Sequence, residues 1–223
     1  MLWNKEEQMS ESFLVGALLA VVGGYLDAYT YVCRGQVFAN AQTGNMVLLA
    51  IQLAQGDLLR ALHYLIPILT YFIGITLTEF IRNKYRLNYA LHWRQIGIAI
   101  ELTVLIGVGF LPQGRYNTIA IVLVSFVCAL QAQSFKKFKG KAFASTMCTG
   151  NLRSASEHFY LSRSLKSREE LMISLQYILI ICFFIAGAII GCYLTNIFEM
   201  KSVVFSCIGL AVAFLLMIKK PEE

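Results

Sequence analysis

Long apolar runs separated by short polar clusters set the reading of this chain. Six stretches are apolar over most of their length, 13–32, 61–81, 96–111, 117–135, 171–198 and 203–218. A helix crossing the hydrocarbon core of a bilayer needs about 20 such residues, so each is a candidate span. The third and sixth are short and are expected to stand nearly upright or to borrow interfacial flanks. The first follows the mixed-charge Lys5-Glu6-Glu7 and has no A-x-A-like exit. It is therefore expected to be kept as a span and not removed as a signal peptide.

The polar interruptions repeat. Thr43-Gly44-Asn45 recurs as Thr149-Gly150-Asn151, each copy just after a long apolar run. The same offset lays Asp27-Ala28 on Gln133-Ser134, and after seven further residues Tyr71-Phe72-Ile73-Gly74 matches Phe184-Ile185-Ala186-Gly187. Matching context on both sides points to one duplicated unit, 12–111 and 117–218, within a single membrane domain covering 1–223. Three spans per copy is an odd number, so the second copy enters the membrane the other way round. The expected fold is all-α: six transmembrane helices as a 3+3 inverted repeat about an axis in the membrane plane.

The irregular segments of the two copies are 33–57 and 136–168. Residues 46–54 are strongly apolar yet too short to cross alone, which predicts a re-entrant or half-inserted helix. Their counterpart, 152–161, carries Arg153, Glu157 and His158 and suits the interface better.

Composition agrees with a bilayer as solvent: 57% hydrophobic, 14% charged, mean hydropathy +0.63. The net charge of +6 is distributed unevenly. With six spans and a cytoplasmic N-terminus, 15 of the 19 Lys and Arg residues fall on the cytoplasmic side: Lys5, Arg82, Lys84, Arg86, Arg94, Lys136, Lys137, Lys139, Lys141, Arg153, Arg163, Lys166, Arg168, Lys219 and Lys220. Arg34, Arg60, Arg115 and Lys201 fall outside. That asymmetry puts both termini in the cytoplasm. The positive charge is then a topology signal with anionic headgroups as partner, and nucleic acid is not needed to explain it.

The series Gly23-Gly24-Tyr25-Leu26-Asp27-Ala28, Gly35-x-x-Phe38 and Thr43-Gly44-Asn45, with Thr149-Gly150-Asn151 after Ala129-Leu130-Gln131-Ala132, resembles the YoaK-type family of bacterial membrane proteins, a domain of unknown function. The resemblance spans nearly the whole chain. It implies a six-span integral protein of the bacterial cytoplasmic membrane, and it implies no reaction and no substrate. Where family members often read Gln-Asn-Ala late in the fourth span, this chain has Gln131-Ala132-Gln133.

Two readings of the Thr-Gly-Asn segments stand. They turn and cap, Thr or Asn accepting orphan N–H bonds and Gly permitting an unwound link. Alternatively, broken backbone at membrane depth lines a cavity, and helix N-termini there offer a positive end to anions. On the second reading the site comprises Asp27, Thr43, Gly44 and Asn45 from one copy and Gln133, Thr149, Gly150 and Asn151 from the other. Asp27 is the sharpest of these, because a carboxylate inside a span costs roughly 2.5–3.5 kcal/mol unless hydrated, protonated or paired. Its alternative role is an interfacial acid paired with Arg34.

Glu101 is the other acid within a span, taking either a site role or a turn toward the cytoplasm. Glu79 and Arg82, at i,i+3, read as a local pair. Tyr85, Tyr89, His92 and Trp93 among basic residues read as an aromatic belt. Gly187-x-x-x-Gly191 and its aligned Gly74-x-x-x-Thr78 read as close-packing faces between the units. The six cysteines show no C-x-x-C pair, and no H-E-x-x-H, G-x-S-x-G or phosphate-loop string occurs. No catalytic residue, metal or cofactor is expected. The sequence thus favours a small secondary transporter or facilitator of a small solute, with proton or cation coupling through the buried acid; a homodimer is compatible with so few spans. The alternative is a non-transporting assembly partner or sensor.

Overall fold

The structure, a computed structural model, describes residues 12–85, 93–138, 141–142, 146 and 148–218. Lys5, Arg86, Tyr89, His92, Lys139, Lys219 and Lys220 lie outside the described residues. The fold is all-helical: α1 Phe13–Cys33, α2 Gln42–Ala54, α3 Leu58–Tyr85, α4 Trp93–Val108, α5 Asn117–Ser134, α6 Cys148–Ser164, α7 Arg168–Phe198 and α8 Val203–Ile218. A two-residue antiparallel ladder, Lys137–Phe138 with Lys141–Ala142, precedes α6, and a 3-10 turn, Glu199–Ser202, joins α7 to α8.

Among the described residues, four stretches are long and apolar enough to cross a membrane: α1, residues 58–84 of α3, α5, and the continuous stretch 168–218 that holds both α7 and α8. At 1.5 Å per residue, α4 and α8 are each roughly 24 Å long, short of the hydrocarbon thickness of about 30 Å. Large apolar side chains cover the outside: Leu59, Leu69, Phe72 and Phe80 on α3, and Ile185, Ile189, Tyr193 and Ile197 on α7. A helix face that stays apolar where it is exposed is suited to lipid.

Alpha-1 is the central helix. Of its apolar window 72% is buried, against 22% for 168–218, and its most extensive contact is with α7. Val21 lies against Gly187 and Tyr25 against Gly191, so the two helices run parallel. The contact is tight because both sides have lost a side chain. A Cβ on Gly24 would strike the Phe184 carbonyl, and one on Gly187 would strike the Val21 carbonyl. Helix α3 meets α5 in the same way, with Gly74 against the Phe126 carbonyl and the Ala129 methyl; this pair is also parallel, since Glu79 further along α3 meets Gln133 further along α5. Helix α2 packs on α3 and α6 on α7, while α4 packs on α5 and α8, and α8 on α1.

Ser12 caps α1 by accepting from the Val15 amide (3.3 Å), and Ser167 caps α7 by accepting from the Glu170 amide (3.3 Å). Tyr25 and Tyr29 on α1 donate to the Ser202 and Met200 carbonyls (2.6 and 3.1 Å), which fixes the turn between α7 and α8 against α1.

Two expectations of element bounds shift. The half-helix expected over 46–54 begins at Gln42, and the one expected over 152–161 begins at Cys148 and runs for 17 residues. Both Thr-Gly-Asn tripeptides therefore lie in the first turn of a helix, and the unwound chain lies before them.

Because Gly24 faces backbone and not a movable side chain, Gly24→Val is expected to destabilise the protein by about 1–3 kcal/mol. Gly107→Ala, where an added methyl meets nothing within 4 Å, should be neutral or stabilising. Unfolding in detergent, followed by circular dichroism, separates the two.

Candidate functional site

The site begins where α1 ends. After Cys33 the chain turns through Gly35 and Gln36, both with positive φ (106° and 61°), and runs back as irregular backbone to Ala41. This segment makes few hydrogen bonds to itself, and side chains replace them. Asn45, fully buried, grips Phe38 from both sides: its Oδ1 accepts from the Phe38 amide (2.9 Å) and its Nδ2 donates to the Phe38 carbonyl (2.7 Å). Gln42 donates to the Ala39 carbonyl (2.8 Å). The Asp27 carboxylate accepts from the Asn40 amide (2.6 Å), with the Ala39 and Ala41 amides beside it. Asn40 in turn donates from its side chain to the Gly23 carbonyl (3.2 Å).

Asp27 thus sits at the N-terminal end of α2, where backbone N–H groups converge and the helix dipole is positive. Hydrogen bonds to a charged acceptor each contribute about 1.5–3 kcal/mol, enough to offset the insertion cost of a single carboxylate. Arg34 is not its partner. That guanidinium is fully buried and donates to the Tyr29 hydroxyl (2.8 Å), the Val108, Leu111 and Pro112 carbonyls (3.2, 2.9 and 3.3 Å) and Asn117 Oδ1 (3.3 Å). It caps the C-terminal end of α4, so the expectation of an Asp27–Arg34 pair is corrected.

Beside Asp27 lies a cavity of about 840 Å³. Its polar wall holds Asp27, Asn40, Gln42, Thr43, Tyr71, Thr146 and Thr149, and its apolar wall includes Phe38 and Phe184. The N-terminal residues of α2 and of α6 both face it. A second, polar hollow of about 570 Å³, with Arg60, Gln36 and Glu199 in its walls, shares Tyr31 and Val32 with the cavity. Tyr31, which lines both spaces, stacks on Phe38 with ring centroids 5.0 Å apart. At the rim of α6, the Cys148 thiol is pushed up to about 11 by burial and by the nearby Asp27 charge.

Of the eight expected site residues, the structure brings Asp27, Thr43, Thr149 and Gly150 to this cavity. Gly44 lies against the Phe38 ring, where a Cβ would come within 2.9 Å of it. Asn45 is the clamp just described, and Asn151 is buried within α6. Gln133 is elsewhere: it donates to Glu79, which also pairs with Lys136 (3.1 Å) and Arg82 (2.8 Å). Asn40, Tyr71 and Thr146 line the cavity without having been singled out. A signal for two of them was present, because Asn40 and Thr146 are related by the offset that relates the Thr-Gly-Asn copies.

Asn45 Nδ2 also donates to the Gln42 side-chain oxygen (2.9 Å), so Asn45→Ala removes three hydrogen bonds, and an unsatisfied buried group costs about 1–3 kcal/mol. Hydrogen exchange at the Phe38 and Asn40 amides should therefore accelerate in that variant, while exchange in α5 stays as in the parent.

No curated protein and no solved structure matches the chain. One family profile does, over residues 15–216, which is nearly the whole chain. The chain belongs to the family described as Protein of unknown function (DUF1275).

Proposed function

We propose that this protein is a small secondary transporter or facilitator of a small solute, built as a 3+3 inverted repeat of six spans in the bacterial cytoplasmic membrane with both termini in the cytoplasm. The observation that carries the reading is the cavity between the N-terminal ends of two half-helices, one from each unit, with a buried carboxylate in its wall. Helices broken at membrane depth are where transporters bind substrates and coupling ions.

The packing supports the repeat. If α1, α2, α3 and α4 correspond to α5, α6, α7 and α8, then each contact between helices has its counterpart: α1 on α7 with α5 on α3, α2 on α3 with α6 on α7, α4 on α5 with α8 on α1. The pairs α1 with α5 and α4 with α8 map onto themselves, as contacts across a two-fold axis must. Alternating access would rock one unit against the other. The Tyr31–Phe38 stack would then close the outer path, and the Glu79, Gln133, Lys136 and Arg82 cluster would close the cytoplasmic one. Anionic headgroups would hold the basic cytoplasmic face, and a homodimer is the assembly we expect.

A second reading, a non-transporting partner or sensor, is favoured by the fact that Asp27 and Asn45 already serve the fold through local bonds. Flux separates the two. In liposomes, with ligands first found by thermal shift, the parent should carry solute and Asp27→Asn should fold yet lose coupled flux or ligand stabilisation. Unchanged signals in that variant would favour the partner or sensor.

Topology has its own test. Single cysteines in the turn 113–116 should react with an impermeant reagent from outside, and cysteines at 136–141 should not. The reverse pattern would overturn the orientation.

A further inference from the structure

Glu101 is used by nothing described so far. It lies midway along α4, 1% exposed, and its Oε1 has no hydrogen-bond partner among the described residues. No Lys, Arg or His is paired with it among those residues. Arg94, two turns earlier on the same helix, donates to the Ser134 carbonyl (3.0 Å), and Arg34 is committed to the other end of α4. The titratable groups that face it are Cys128 from α5 and Cys207 from α8.

Buried polar atoms without hydrogen-bond partners also occur on α5, on α3 and in the segment before α2. Cys128 is within electrostatic reach of both acids, and its thiol meets the Asn40 side chain. Ser125, one turn earlier on α5, has an unpartnered hydroxyl, as does Tyr71 on α3; Asn40 Oδ1 is unpartnered too. Tyr71 and Asn40 also line the cavity that holds Asp27. A dry core does not keep such groups for packing, since each is a polar atom left without a bond. A cation with a full oxygen shell does not fit, because the groups beside Glu101 include two thiols. A proton needs only the one carboxyl.

We propose that Glu101 is a proton-binding site in the membrane interior, loaded and emptied through the solute cavity by way of Asp27. In the transfer the O–H bond at Glu101 breaks and one forms at the Asp27 carboxylate, with Tyr71, Asn40 and Cys128 along the path; the charge of the pair is unchanged and no co-reactant is consumed. The proposal takes the cavity from the transporter reading but does not require that any solute be carried.

Infrared spectroscopy of the protein in lipid at neutral pH tests it without a substrate. The parent should show the carbonyl band of a neutral carboxylic acid, lost in Glu101→Gln and retained in Asp27→Asn. Carboxyl-labelled glutamate in the parent chain should shift that band, which keeps the test available if Glu101→Gln fails to fold. On transfer to heavy water the band should shift promptly in the parent and at least about tenfold more slowly in Asp27→Asn. A band untouched by glutamate labelling would overturn the site, and equal exchange in parent and Asp27→Asn would overturn the route through the cavity. A protein that carries no solute but shows the band and its Asp27-dependent exchange would refute the transporter reading alone.

Discussion

Backbone that leaves its helix beside apolar neighbours must find every hydrogen bond within the protein. In this chain that constraint falls on residues 34–41, and two of the side chains that meet it, Asp27 and Gln42, also line the candidate site. Asn45 holds Phe38, Gln42 holds Ala39 and the Asp27 carboxylate holds Asn40. Removing the acid would thus open the cavity wall and loosen the segment together, so structure and site cannot be assigned to separate residues here. This is why the variant chosen for Asp27 is Asn, which keeps an acceptor and close to the same size.

The two helices that carry Thr-Gly-Asn in their first turn start beside different charges. For the first, the acid stands on α1 and neutralises the start of α2. For the second, the matching position is the neutral Gln133, which turns to Glu79 on α3. The α2 end therefore carries its own anion in Asp27, and Gln133 gives the α6 end no equivalent. The cavity is therefore electrically lopsided: a carboxylate stands at the start of α2, whereas the start of α6 contributes Thr149 and Gly150.

Hydropathy made the long helices legible, because burial in lipid leaves a composition signal that no packing detail can hide. Helix α8 runs over the residues expected of it, Val203–Ile218. The half-helices were harder. Thr, Gly and Asn are weak helix formers, so the sequence placed the break on them, whereas contacts from Phe38 and Asn40 carry the helix through the tripeptide and move the break upstream. Gln133 was misplaced for a related reason: an offset aligns positions along the chain but says nothing about which neighbour a side chain reaches. Glu79 was legible as the partner of Arg82, three residues on. Its bonds to Gln133 and Lys136 cross from α3 to α5, and nothing local announces them.

Arg34 shows how a charge can be buried without an opposite charge. A helix of 16 residues such as α4 ends short of the slab, and its last carbonyls need donors that lipid cannot supply. The guanidinium carries five N–H groups in one plane, and here it meets the last carbonyl of α4, at Val108, and the Leu111 and Pro112 carbonyls of the turn beyond it. The negative end of the α4 dipole favours the cation, so the pairing is electrostatic as well as geometric. The sequence put Arg34 among the few basic residues on the outer side and offered it as a partner for Asp27. Its location at the joint between α1, α4 and α5 gives it a different weight: it ties the turn that begins the irregular segment to the helix that carries Glu101. A shift of α1 relative to α4 would have to break those bonds or carry Arg34 along, which makes this joint stiff.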